Sequence, residues 1–326
     1  MADILNIPAG ATAGNAASGI APQQFDLKRY NDLLLIPKGQ GFTAAERASI
    51  ATFKAAVQAR TTCDDKTVRM IPVSGICDIA NSNTAATEYT QGFGGKEVIG
   101  DGAYSTTLTF RDGGLKRHAN LNEIDVNGYD IMLVDNMTKF LGRMSGTLLC
   151  GFTGSFKALS YDLPDNGTPS LYKCQFNLTK PQELNKLSLI GFVDCDNSFV
   201  FSNEVPGIVG LTLDARVAVA NTKIYVGVKT TDGAVDMYPD FDTEIEVVGN
   251  WRVVLTSDYT TPVVIATVAK QAGTSCWLIT TATQATSAEM AVYLAGPHTL
   301  DTNGIGGPPS LSYEAVDPLI VTMPAP

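Results

Sequence analysis

The sequence predicts a mainly β protein: an N-terminal arm over residues 1–40, a β-rich domain over 41–203 with one or two packed helices, and a β-sandwich over 206–326. Three observations lead there. Short β-prone runs separated by turn residues fill most of the chain. Apolar residues recur at helical spacing in only two places. The stretch from Asn203 to Gly207, ending Val205-Pro206-Gly207, interrupts the pattern where a linker belongs, and 326 residues exceed the usual single-domain size.

In chain order, residues 1–24 include the Ala/Gly/Ser tract Ala9 to Ala21. Such a composition buries too little apolar surface to offset the entropy of ordering, so the arm is expected to be covered by a neighbouring subunit. Next comes Phe25 to Ile36, closed by Pro37, with the apolar run Leu33, Leu34, Leu35 and Ile36. A segment this short makes no core of its own; it docks either on its own domain or on a neighbour. Thr43-Ala44-Ala45-Glu46 has the form of a capping box and predicts a helix over 44–60, whose Ile50, Phe53, Ala56 and Val57 form one apolar stripe to lay on a sheet.

From Thr67 to Ser202 the expected strands are 67–73, 104–111, 148–152, 156–161, 171–178, 187–193 and 199–202, punctuated by Asp112-Gly113-Gly114, Asn127-Gly128 and Asp165-Asn166-Gly167. Within that series, Tyr129, Met132, Leu133, Asn136 and Phe140 repeat at three and four and predict a second helix over 128–144. Beyond the linker, strands are expected at 210–217, 223–229, 244–248, 251–256, 263–268, 276–280, 290–294 and 319–323. Eight strands in about 120 residues match a β-sandwich, and Ile224, Val226 and Val228 alternate with Tyr225 and Gly227 as a half-buried strand requires.

Charge narrows the functional classes. Charged residues make up 17% of the chain, below the roughly 25% common in soluble domains. From Pro206 onward five basic residues face twelve acidic ones, and 271–326 hold neither Lys nor Arg. Phosphate binding needs clustered cations, so sequence-reading or coating of nucleic acid is excluded, while an acidic wall along which DNA slides is compatible. No run reaches the 18 or more apolar residues of a membrane span, and the N-terminus lacks a secretory signal, so synthesis in a cytoplasm is expected. Six scattered cysteines without a CxxC read as buried thiols.

Catalytic and metal signals are sparse, and no enzyme activity or cofactor is expected. His118 and His298 are the only histidines. His118 reads as part of a basic turn edge and His298 as a loop residue. Thr274-Ser275-Cys276-Trp277 lacks the preceding cysteine and distant downstream histidine of a papain-type site, so Cys276 and Trp277 read as core. Gly92-Phe93-Gly94-Gly95-Lys96 has Thr90 and Glu97 where a phosphate loop needs Gly and Ser or Thr, and reads as a loop that a neighbour can reshape. Asp240, Asp242, Glu244 and Glu246 alternate along a candidate strand; they are the weak calcium candidate, with a solvated acidic face as the alternative.

An arm, a β-rich domain with a packed helix and a C-terminal sandwich, low in charge and rich in Thr, Asn and Gly, resemble the tail-tube and head-to-tail ring proteins of tailed bacteriophages, some of which carry an immunoglobulin-like domain. The resemblance implies a virion subunit, assembled in the host cytoplasm, that forms a ring or tube at the tail or head-tail junction. Its partners would be copies of itself, other virion proteins, and DNA passing through a lumen without sequence-specific binding. Open edge strands would pair between subunits, and Phe25, Leu27, Tyr30, Leu33, Leu34, Leu35 and Ile36 would bury apolar area at the junction. Deleting residues 1–24 is then expected to leave a folded protein that does not assemble. The alternatives are a receptor- or glycan-binding head fibre, decoration protein or adhesin, and a hydrolase using a carboxylate pair in the first domain.

Overall fold

Antiparallel strands dominate the protein, in a computed structural model describing residues 30–324 apart from 64, 66, 101, 112–113, 137, 164–169, 186–188, 196–198, 206, 216–221, 232–235, 239–244, 286, 295–297, 300–311 and 316–317. Of the arm expected over residues 1–40, residues 1–29, Phe25 and Leu27 among them, lie outside the described residues, and the rest includes a strand of the first unit. The chain divides into two compact units, one of Met1–Thr61 and Asp65–Val205, the other of Thr62–Asp64 and Pro206–Pro326.

The first unit runs β1 (Tyr30–Pro37), α1 (Ile50–Thr61), β2 (Ile71–Val73), β3 (Ile76–Asn81), β4 (Thr87–Thr90), β5 (Lys96–Gly100), β6 (Tyr104–Phe110), α2 (Gly114–Asn122), β7 (Tyr129–Asp135), β8 (Lys139–Ser145), β9 (Leu148–Cys150), β10 (Gly154–Ala158), β11 (Tyr172–Leu178), the single turn α3 (Gln182–Asn185), β12 (Ile190–Asp194) and the single turn α4 (Phe201–Glu204). One sheet has the order β12-β8-β7-β1-β2, with β9 on β8, and a second has the order β10-β11-β6-β3. β1 is central, antiparallel to both β2 and β7. Because successive side chains of a strand point to opposite faces, Leu33 and Leu35 enter the core shared with the second sheet, beside Leu108, Phe156 and Phe176. Leu34 and Ile36 enter the core on the other face, with Phe53 and Val57 of α1.

That double burial corrects two expectations. The Leu33–Ile36 run docks on its own unit: all four side chains are fully buried there and leave no apolar surface for a neighbour. Tyr30 likewise packs on this unit's core, its ring edge-on to Phe176 at 6.3 Å. Residues 128–144 are not a helix but the antiparallel pair β7 and β8. A strand buried on both faces has no apolar-polar alternation, and the coincidence of three- and four-residue spacings in 129–140 imitated a helical stripe.

The helix expected over 44–60 begins later. The capping box forms, with Thr43 N donating to Glu46 Oε2 at 2.7 Å and Glu46 N to Thr43 Oγ1 at 3.3 Å, yet residues 44–49 stay in turns. Arg47 is the reason visible in the fold: its buried guanidinium donates from Nε to the Phe42 carbonyl at 3.2 Å and from Nη2 to that of Thr147 at 2.9 Å. A second reciprocal pair then starts α1, Thr52 N donating to Ser49 Oγ at 3.2 Å and Ser49 N to Thr52 Oγ1 at 3.0 Å. The segment expected as strand 199–202 forms no strand; Phe199 and Val200 lead into α4 at Phe201, and both phenylalanines pack against Phe140.

The second unit runs β13 (Ile208–Ala215), β14 (Lys223–Thr230), β15 (Trp251–Leu255), β16 (Asp258–Val263), β17 (Ile265–Gln271), β18 (Cys276–Thr281), β19 (Glu289–Leu294), β20 (His298–Thr299), β21 (Ser312–Ala315) and β22 (Leu319–Thr322). Sheets of order β17-β18-β14-β13-β21-β20 and β16-β15-β19-β22 enclose one core. Ile224, Val226 and Val228 point into it against Trp251, Val253 and Val292 from the opposite sheet, making a sandwich. Two expected strands are corrected. Of 244–248, residues 245–248 form no strand; they lead into a 3-10 turn at Val248–Asn250, with the Ile245 carbonyl accepting from Trp251 Nε1 at 2.7 Å. The run 263–268 breaks at the exposed Val264, where the chain leaves one sheet for the other.

Candidate functional site

The feature that stands out from the first unit is a ribbon that packs on none of the described cores. Past β3, Ser82 N donates to the Ser105 carbonyl at 2.8 Å and Thr84 N to that of Ala103 at 2.9 Å, so the β3–β6 ladder continues outward. β4 and β5 prolong it as a two-stranded sheet. Gly92 to Lys96 form the end of this hairpin: Gly94, at φ +84, donates to the Gln91 carbonyl at 2.8 Å, and Gln91 N donates to Gly95 at 2.7 Å. The segment expected to be a loop is thus a hairpin turn, and its Gly94 occupies left-handed backbone that other residues resist.

Every residue from 80 to 99 is exposed. Among them are Tyr89, Val98 and Ile99, each more than half exposed, and Phe93 at the tip, open to solvent over its whole surface. The Lys96–Glu88 ion pair at 3.1 Å joins the two strands, but so exposed a pair adds little. The ribbon's geometry supplies main-chain donors and acceptors on both edges and four apolar side chains, a chemistry suited to docking.

Residues singled out for chemistry have structural places. His118 Nε2 lies 2.5 Å from the Leu159 carbonyl, its ring edge-on to Tyr161 and Tyr172. His298 belongs by its backbone to β20, opposite Tyr313. Cys276 and Trp277 are fully buried, and Thr274 Oγ1 sits 2.9 Å from the Cys276 sulfur. No cysteine is in a disulfide. Burial pushes the Cys174 thiol up to about 12 and raises that of Cys150, so neither is a nucleophile near neutral pH. Of the calcium candidates, Asp240, Asp242 and Glu244 lie outside the described residues; Glu246 Oε1 accepts the Lys270 amide at 2.7 Å.

Two of the first unit's buried acids are held by a cation. Asp130 and Glu183 share Arg143, at 2.9 Å and 3.5 Å. Glu183 also accepts Thr153 N and Thr153 Oγ1, both at 2.7 Å, which ties α3 to the loop before β10. Burial raises Asp130, with the Arg143 guanidinium opposing. Among the described residues, no three His, Cys, Asp or Glu side chains gather for a metal, and no helix is long and apolar enough to cross a membrane.

No family model matches the chain, and no curated protein matches it.

Proposed function

We propose that this chain is a structural subunit of a tailed-bacteriophage virion that self-assembles into a ring or tube at the tail or head-tail junction. The exposed ribbon of residues 82–103 carries the reading. An isolated two-stranded hairpin is marginal in water, and Tyr89, Phe93, Val98 and Ile99 present apolar surface away from the fold's own cores. Contact with another subunit would complete both its hydrogen-bonding edges and its burial. The Leu33–Ile36 run no longer belongs to the proposed interface, since it is spent inside the unit.

The second unit is read as an immunoglobulin-like domain carried by that subunit. With β20 and β21 set apart as an extension beyond β13 and the other strands lettered in chain order, β17-β18-β14-β13 over β16-β15-β19-β22 follows the D-E-B-A and C′-C-F-G arrangement, and the buried Trp251 opens strand C. DNA would pass the lumen without binding, in keeping with the shortage of clustered cations.

Replacing Tyr89, Phe93, Val98 and Ile99 together by serine tests the reading. Thermal stability is expected to stay within about 0.5 kcal/mol of the parent, as for surface changes, while rings or tubes seen by negative-stain electron microscopy are lost. Assemblies of unchanged size and number in the variant would defeat the proposal.

A further inference from the structure

A cleft of about 160 Å³ opens in the first unit where β1, the β7–β8 turn and the 199–202 segment meet. Its position follows from register. Tyr30 pairs with Asp135 and Asp32 with Val134, so Asn31 is the extra residue of a bulge. The bulge brings Asn31 and Asp32 of one strand beside Asp135 and Thr138 at the end of another, with Phe199 and Phe201 forming the apolar wall.

These four of the cleft's six polar residues offer oxygen, Asn136 and Ser202 being the others. Asp32, Asp135 and Thr138 are each more than nine-tenths buried. The Asp135 carboxylate is held in place by the Lys139 amide, which donates to Oδ1 at 2.8 Å. Thr138 Oγ1 and Asn31 Oδ1 are buried with no hydrogen-bond partner, a costly state for a polar atom unless something else fills its coordination. No lysine, arginine or histidine among the described residues lines the cleft. The Asp32 carboxylate already accepts hydrogen bonds from the Ser74 side chain and the Gly75 amide, with the Arg117 charge nearby, so it has only its remaining lone pairs to offer.

Two buried carboxylates, an amide oxygen and a hydroxyl, with open room for roughly five waters, form a donor set for a hard cation. We infer that this cleft binds a divalent cation of the calcium type. Calcium accepts six to eight oxygens in irregular geometry, and the protein's four with solvent reach that number, whereas magnesium demands a near-ideal octahedron. With only two carboxylates the affinity belongs to the weak range, on the order of 10⁻⁴ to 10⁻³ M.

Calorimetric titration of the full chain with CaCl₂ to about 10 mM, an order of magnitude above the weakest affinity in that range, tests the inference beside melting curves in CaCl₂ and in NaCl of equal ionic strength. A single saturable site and a melting point raised by calcium alone are expected. Asp135→Asn keeps an acceptor for the Lys139 amide, and Thr138→Gly suits the φ of +55 at that position. Each is expected to weaken binding at least tenfold; if Asp135→Asn fails to fold, Thr138→Gly decides. Absence of saturable binding in the parent would overturn the inference and leave water as the occupant. Unchanged affinity in the variants would also overturn it, placing the ion elsewhere, as at Asp240 to Glu246.

Discussion

Asp258 shows how a single exposed side chain can shape stability. It opens β16, just past the turn from β15, where Oδ1 accepts Thr260 Oγ1 at 2.6 Å, Thr260 N at 3.0 Å and Thr261 N at 3.3 Å. These bonds favour the ionised form, the Thr260 hydroxyl foremost, and hold the carboxyl down at about 2 against an ordinary 3.8. A carboxyl lowered by folding contributes stability that is present above pH 3.8 and lost as pH falls through about 2. Asp258→Ala is therefore expected to flatten the stability-pH curve in that interval, as read by urea unfolding at stepped pH; an unchanged slope would exclude the turn as its source. At this scale some of the structure was legible, since the Thr43 and Glu46 bonds follow directly from their spacing. The cleft was not. Asn31, Asp32, Asp135 and Thr138 carry no motif and become neighbours only through a pairing register and a bulge, which single-sequence periodicity does not encode.

Among the elements, α1 depends most on one residue. Phe53 is fully buried, with ring centroids 4.8 Å from Phe42 and 5.0 Å from Phe140. Phe53→Ala is expected to cost about 3–5 kcal/mol through lost burial and a residual cavity, measurable as a lowered urea midpoint with unchanged m-value. A loss under 1 kcal/mol would mean that the helix is not held by this stripe. The stripe itself was readable because one face of α1 meets a core and the other meets solvent. Strands with the same contrast, such as β6, β11 and β14, were readable for the same reason. β1 and β7 lack it, being apolar on both faces, so periodicity does not identify the first as a strand and imitates a helix in the second. The β4–β5 ribbon lacks it in the opposite sense: exposed on both faces, it has no alternation, and only its glycines announced a turn.

For the whole molecule, the mainly β class follows from residue pattern, since turn chemistry at short intervals admits few other architectures. Each unit carries its own buried clusters, two in the first and one in the second. The proposed assembly is the part that no single chain encodes visibly, because an interface is a relation between surfaces and not a periodicity within one. The chain's low charge and bare ribbon are the physical grounds for that proposal. Mass photometry of the purified full chain tests that claim most directly: closed rings or growing tubes should appear at whole-number multiples of 34.6 kDa, and a population that remains monomeric at every concentration would contradict it.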